Sequence, residues 1–462
     1  MGMTDMALHE GANRGHRTER RSVGADPPGG SRPSPRPGGG RRPPALRARS
    51  TTWCACRRVP AVVARPARQG PRVLTLAEMI CELGTASRLA DADRREATFR
   101  LVTRLFAYHY ERNSFYRSLC EEADVDPGTI ATTSDLAAIP LLPVRLFKES
   151  GAHLLLSRPL EEVELEIRST GTSGVPSVAR RDATTTTAVA LALTAQYREF
   201  FTVSGGAGLF LCPSPGENPE MGLAKVLNLF CGLLDESHYA LRGYSFRPDE
   251  AVEFLAKRQG SSLRHIFGPP FLVNRLLDHL QETGAGPKLD EDSLVIMLGG
   301  WKRYTGGTID ERRFRTKASD LLGISPANVR DMYGLIESDM LAIECEHHRK
   351  HVPPWCHLSV RDIADPSKEV RNGARGVIAI LSGLNTSYPG FILTEDVGVR
   401  TEGRCECGRR GQMVTFSRRL KGAEVGCCAV NIERQIDALG AVGSTDVPST
   451  AGSRPELASP PS

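Results

Sequence analysis

Apolar positions recur at helical spacing through residues 76–89, LAEMICELGTASRL, and again through 96–123, which predicts two opening helices. Residues 139–150, IPLLPVRLFKES, are interrupted by prolines and read as extended chain. VELEIRST, 163–170, alternates like a strand and runs straight into STGTSGVPS. Helical patterns then cover 182–201, with Asp182 near the N-cap, 221–234, 248–260 with acids in its first turn, 271–284 and 308–323. Between them lie short apolar strands in 206–215, 263–270, 293–301 and 328–338. This alternation predicts an α/β fold with a mostly parallel sheet covered by helices on both faces. From about Val352 the texture changes to short strands and turns, in 375–383, 391–401 and 413–424, which reads as a smaller β-rich subdomain.

The chain has 462 residues, enough for two or three domains. Its formal charge of +5 is misleading, because residues 1–72 hold fifteen Arg, no Lys and four acids. That segment carries +11 and leaves −6 on residues 73–462, so the basic balance does not argue for a nucleic-acid-binding core. Rich in Arg, Pro and Gly, it cannot bury enough surface to offset its ordering entropy and reads as a disordered extension. An arm for nucleic acid or a membrane surface, or a transit peptide, are the alternatives. Residues 444–462 form a second low-complexity tail. No apolar run reaches the roughly 18 residues that span a bilayer. The twelve cysteines lack the spacing of a disulfide framework, so a cytoplasmic protein is expected.

The chemistry starts at IRSTGTSGVPS, 167–177. Gly171 and Gly174 let the backbone approach a polyanion, and Ser169, Thr170, Thr172 and Ser173 offer donors to phosphate oxygens. The Gly-Lys-Ser/Thr ending of a Walker loop is absent, and an ordinary turn is the plainer alternative. Further along come MLGGWKR, DMYGLIESD, LTEDVGV and SRRLKG, in that order. With these four segments and the loop, residues 74–440 resemble the adenylate-forming superfamily of acyl-CoA synthetases. The resemblance implies an adenylate-forming α/β body over 73–350, the β-rich subdomain over 351–417, and a hinge with a short C-terminal arm over 418–443. It implies ATP and Mg²⁺ as cofactors, with residues 169–174 on the phosphates, Gly299 and Gly300 against the nucleotide, Tyr333 at the adenine and Glu337 on Mg²⁺. Asp396 would accept from the ribose hydroxyls, and Arg419 and Lys421 would act at the hinge. Arg418 stands where the hinge motif has glycine, which leaves open which arginine reaches the nucleotide.

IPLLPVRLFKES, STGTSG, LGGWKR, HVPPW and GAEVGCC look like LuxE-type acyl-protein synthetases, with phenylacetate-CoA ligases as more distant relatives. That branch implies activation of a fatty or other carboxylic acid as acyl-AMP. The acyl group then passes to the enzyme's own cysteine as a thioester, for delivery to an acyl reductase subunit. Cys428 matches the acylated cysteine, with Cys427 beside it, and Thr170, Glu337 and Cys428 form the implied catalytic set. Only about 40 residues follow the hinge and none is lysine, so a full swinging domain of ~100 residues is not expected. A CoA-dependent ligase and a non-catalytic nucleotide-binding subunit remain the alternative functions. Separately, Cys345, His351, Cys405 and Cys407 arrive as pairs from two segments and suit a tetrahedral structural Zn²⁺, with His347, His348, Cys356 and His357 as rival ligands.

Overall fold

The computed structural model describes residues 91–148, 152–169, 176–260, 263–284, 286–301, 309–421 and 436–437. The helices are α1 Asp91–Arg112, α2 Ser114–Glu122, α3 Ala183–Phe201, α4 Gly222–Asn228, α5 Pro248–Lys257, α6 Pro270–Thr283 and α7 Glu311–Leu322. The early strands are β1 Leu142–Pro143, β2 Val163–Arg168, β3 Val178–Asp182, β4 Ala207–Phe210, β5 Glu236–Tyr239, β6 Leu241–Arg242, β7 Ser245–Phe246, β8 Arg264–Gly268 and β9 Val295–Leu298. The later ones are β10 Val329–Gly334, β11 Leu341–Glu344, β12 Lys350–His351, β13 Cys356–Arg361, β14 Arg375–Ser382, β15 Phe391–Arg404 and β16 Arg410–Arg419.

One twelve-stranded sheet runs β13-β14-β15-β16-β12-β11-β10-β9-β8-β4-β5, with β1 beside β15. From β10 to β5 every pairing is parallel, and from β11 to β13 every pairing is antiparallel. The sheet is therefore mixed, not mostly parallel, and the late strands add to it without a break. The change of sense falls at the β10–β11 hairpin. Strands β4, β8 and β9 are buried at every position, as expected when both faces are covered.

Local chemistry decides several boundaries. The single helical pattern over 96–123 is broken at Asn113. This buried residue caps α2 through the Tyr116 N–H and donates to the carbonyls of Leu154, Leu155 and Leu156. Asp182 caps α3 as its position predicts, accepting from the Thr185 N–H at 2.9 Å, and it also accepts from the Thr386 and Ser387 hydroxyls. β2 does not join the main sheet: it pairs with β3 as an antiparallel hairpin. VARRD, which forms β3, lacks the apolar alternation that marks a strand and was missed for that reason.

The core of the parallel half is aromatic. Phe267 stacks on Phe210 at 4.7 Å and lies 4.6 Å from Phe230, which in turn stacks on Tyr197 at 4.0 Å. Phe267 is fully buried. Phe267→Ala is expected to cost about 3–5 kcal/mol, read as a lower urea midpoint at an unchanged slope.

Candidate active site

Where the parallel and antiparallel halves meet, a cavity of about 1720 Å³ opens. Ser169, Gly299, Gly300, Tyr333, Glu337, Asp396, Arg419 and Lys421 all line it. These residues come from within β15 and from the ends of β9, β10 and β16 in the main sheet and of β2 in its hairpin, so the fold gathers segments more than 200 positions apart. Thr170, Gly171, Thr172, Ser173 and Gly174 lie outside the described residues, as do Cys427 and Cys428. The two ends of that loop are tied together: the Ser169 N–H donates to the Ser177 carbonyl at 2.9 Å, and the Ser177 N–H donates to Ser169 Oγ at 2.8 Å.

Asp396 sits opposite Arg419 across β15 and β16. Its carboxylate accepts from the Tyr333 hydroxyl at 2.9 Å and from Arg419 Nε at 3.1 Å. Both arginines line the cavity: Arg418 is exposed and bonds the Arg419 carbonyl, while Arg419 is the one that pairs with Asp396. Burial pushes the Asp396 carboxyl above its ordinary range, against the pull of Arg419 and Tyr333. Tyr333 is held as the phenol, well above its usual range, by burial and the adjacent Asp396.

Glu337 is 5 % exposed. Burial raises its pKa, while a Ser177 hydrogen bond and the charges of Arg419 and Lys148 oppose the rise. The segment that carries it is clamped. Arg181, from β3, donates to the Ile336 carbonyl at 2.7 Å and to Asp339 at 3.0 Å, and the Tyr388 hydroxyl donates to the Glu337 carbonyl. Helix α4 meets this segment at Gly222, where a Cβ would lie 2.4 Å from Ile336 Cγ2, so no larger residue fits without moving it. Gly299, at φ +118°, turns the chain out of β9 in a conformation that L side chains rarely adopt. Arg181 and Tyr388 lie outside every motif of the sequence, and Asp339, the last residue of DMYGLIESD, was given no role there.

A buried charge network closes another wall of the cavity. Asp331 accepts from Trp301 Nε1 at 3.0 Å and pairs with Lys350 at 2.9 Å. The Asp331 N–H donates to Glu344, which also pairs with Arg315 at 3.0 Å. Asp331 is pushed up by burial, and Lys350, despite burial, is held charged by the two carboxylates.

On the far side of β11 and β12, Cys345, His351, Cys405 and Cys407 converge, with their ligand atoms all within 4.8 Å of one another. Cys345 Sγ lies 3.8 Å from Cys405 Sγ, and Cys407 Sγ lies 3.4 Å from His351 Nε2. Two matching tight turns present the sulfurs: Cys345 N–H to Arg349 O with His348 N–H to Cys345 O, and Cys405 N–H to Arg409 O with Gly408 N–H to Cys405 O. The rivals point elsewhere. His347 pairs with Glu406, His348 approaches Glu344, and Cys356 is buried beside Ser382. Burial lowers His351 to about 4, which keeps a nitrogen lone pair available. It also raises Cys345 to about 12, so this thiol needs a cation to become a thiolate ligand. Three sulfurs and an imidazole fit zinc.

Comparison with known proteins places this architecture. A solved 2-hydroxyisobutyryl-CoA ligase, in an open conformation with 2-HIB-AMP and CoA, matches with a TM-score of 0.58 over 73% of this chain and 77% of that one, at 18% identity. The fold is thus that of the adenylate-forming ligases. The sequence signature of "Acyl-protein synthetase, LuxE" matches residues 87–204 and 241–437, and the chain belongs to that family. Long-chain-fatty-acid–luciferin-component ligases from Vibrio harveyi and Aliivibrio fischeri are each 26% identical, over 77% and 74% of this chain and 92% and 90% of their own lengths. A phenylacetate-coenzyme A ligase from Thermus thermophilus is 25% identical over 67% of this chain and 66% of its own. The protein is an acid ligase. No described helix is long and apolar enough to cross a membrane.

Proposed function

We propose that the cavity activates a carboxylic acid, a fatty acid in the simplest reading, with ATP. A carboxylate oxygen attacks the α-phosphorus, the bond to the β-phosphate breaks, and acyl-AMP and pyrophosphate form. The thiolate of Cys428, or of Cys427 beside it, then attacks the acyl carbonyl and displaces AMP, leaving a thioester on the protein. The thiol proton goes to solvent. A thioester keeps its acyl-transfer potential, which suits delivery to a partner acyl reductase. A cytoplasmic setting fits this role.

The observation that carries the reading is the meeting of Ser169, Gly299, Gly300, Tyr333, Glu337, Asp396, Arg419 and Lys421 around one cavity. Asp396, fixed by Tyr333 and Arg419, retains lone pairs for two ribose hydroxyls. Glu337 would hold Mg²⁺, whose charge offsets that developing on the phosphates; a desolvated carboxylate favours such a partner. Thr170 and its loop would donate to the phosphates, and Lys421 would steer the arm. The test is ATP–pyrophosphate exchange across a panel of acids. Acid-dependent exchange is expected, and the absence of exchange with every acid of the panel would sink the reading.

Zinc in the cysteine–histidine quartet would be structural, pinning β12 to the turn before β16. Purified protein is expected to hold about one equivalent of zinc by elemental analysis. Cys405→Ser is expected to lose it together with several degrees of Tm, since metal binding is folding free energy.

A further inference from the structure

The cavity extends past the reaction segment into a pocket between α3 and α4. Val189, Ala190 and Leu193 face it from α3, and Leu223, Val226 and Leu229 from α4. The Tyr197 hydroxyl bonds the Val226 carbonyl at 3.0 Å and fixes the two helices against each other. Such walls suit an acyl chain, yet three polar groups interrupt them. Lys225 lines the pocket, where burial lowers its pKa, and no carboxylate among the described residues pairs with it. Asn228 lies one turn further along the same face. Its Oδ1 accepts from the Tyr239 hydroxyl, so its Nδ2 is the end left over, and Nδ2 is buried without a partner among the described residues. Thr186 Oγ1, from α3, is likewise buried and unpartnered.

A wholly aliphatic chain would satisfy none of these groups and would desolvate the ammonium without a counter-charge, which is costly. Arg419, Lys148 and Arg181 stand near Glu337, and Lys225 is not among the charges that act on it. Position supports a role further out. Gly222 touches Ile336 beside Glu337, and at the helical rise Lys225 stands about 4.5 Å and Asn228 about 9 Å further along α4.

We propose that Lys225, Asn228 and Thr186 form a subsite for a second carboxylate at the far end of the substrate, so that the acid activated is a dicarboxylic acid. This rests on the acid-activation reading and names its substrate class. Lys225 supplies the charge, Asn228 Nδ2 and the Thr186 hydroxyl supply directed donors, and the apolar residues between them hold the methylene chain.

The test is ATP–pyrophosphate exchange by the full chain. It uses a ladder of α,ω-dicarboxylic acids and monocarboxylic acids of equal length. The wild type is expected to favour the diacid at its best length, in kcat/KM, by about tenfold. In Lys225→Met that ratio falls to one or inverts, and Lys225→Glu shifts preference to the ω-amino acid of the same length. A ratio taken within one preparation is insensitive to partial unfolding. Preference for monoacids at every length, or a ratio unmoved in both variants, overturns the subsite while leaving acid activation standing. Absence of exchange with every acid overturns both.

Discussion

Asp396→Asn is expected to lower kcat/KM for ATP by about a hundredfold, roughly 3 kcal/mol, in pyrophosphate exchange. In the proposed adenylation Asp396 would accept two charge-assisted hydrogen bonds from ribose hydroxyls, each worth about 1.5–3 kcal/mol. The amide keeps the shape but offers one acceptor oxygen, and it removes the carboxylate that Arg419 Nε meets at 3.1 Å. Tyr333→Phe removes one hydrogen bond to the same carboxylate and should cost less, about tenfold or under. A pH profile adds a second reading. Burial raises both Asp396 and Glu337, and both act as carboxylates. The acid limb of kcat/KM for ATP should therefore lie above the ordinary carboxylate range. The stability linkage has a definite sign. Both folded-state pKa values exceed the unfolded ones, so these groups add stability below the unfolded pKa. That contribution is lost as pH rises through the folded values.

Cys428→Ala is expected to abolish the hydroxylamine-sensitive acyl adduct formed from labelled acid and ATP without CoA. Adenylate formation precedes the thiol, so acid-dependent pyrophosphate exchange should go on. The two readouts separate the half-reactions within one variant. Equal labelling of wild type and Cys428→Ala would move the acceptor to Cys427 or elsewhere, and Cys427→Ala discriminates between these. Release of acyl-CoA when CoA is added, with no adduct, would favour the CoA-dependent alternative.

Much of the site was readable in the sequence because its residues sit in short segments where backbone and side chain are both constrained. Tyr333 and Glu337 share one strand-turn, Asp396 follows Thr394 in β15, and glycines mark the end of β9. The cysteine–histidine quartet was readable for the same reason, since each turn places its cysteine at a fixed offset from the carbonyl that closes it. What escaped was whatever depends on contact between distant segments. Arg181 looks like a surface residue of a polar run, yet it is buried and clamps Ile336 and Asp339 across some 155 positions. Lys225 and Asn228 look like the polar face of an amphipathic helix, and only the packing of α3 against α4 turns that face toward the cavity. Pairing sense was also hidden: β-rich texture after Val352 does not say that those strands continue the existing sheet.

Glu344 and Lys350 face the cavity while their immediate neighbours, Cys345 and His351, face the sulfur cluster. A pleated strand sends successive side chains to opposite faces, so the two sites are printed on the two sides of one ribbon. Their spacing is a shared frame. Deleting or inserting a single residue in β11 would exchange the faces there, bringing a thiol toward the cavity and a carboxylate toward the sulfurs. The turn at 346–349 lies outside both strands, and its closure holds Cys345. The segment tolerates substitution far better than a shift of frame.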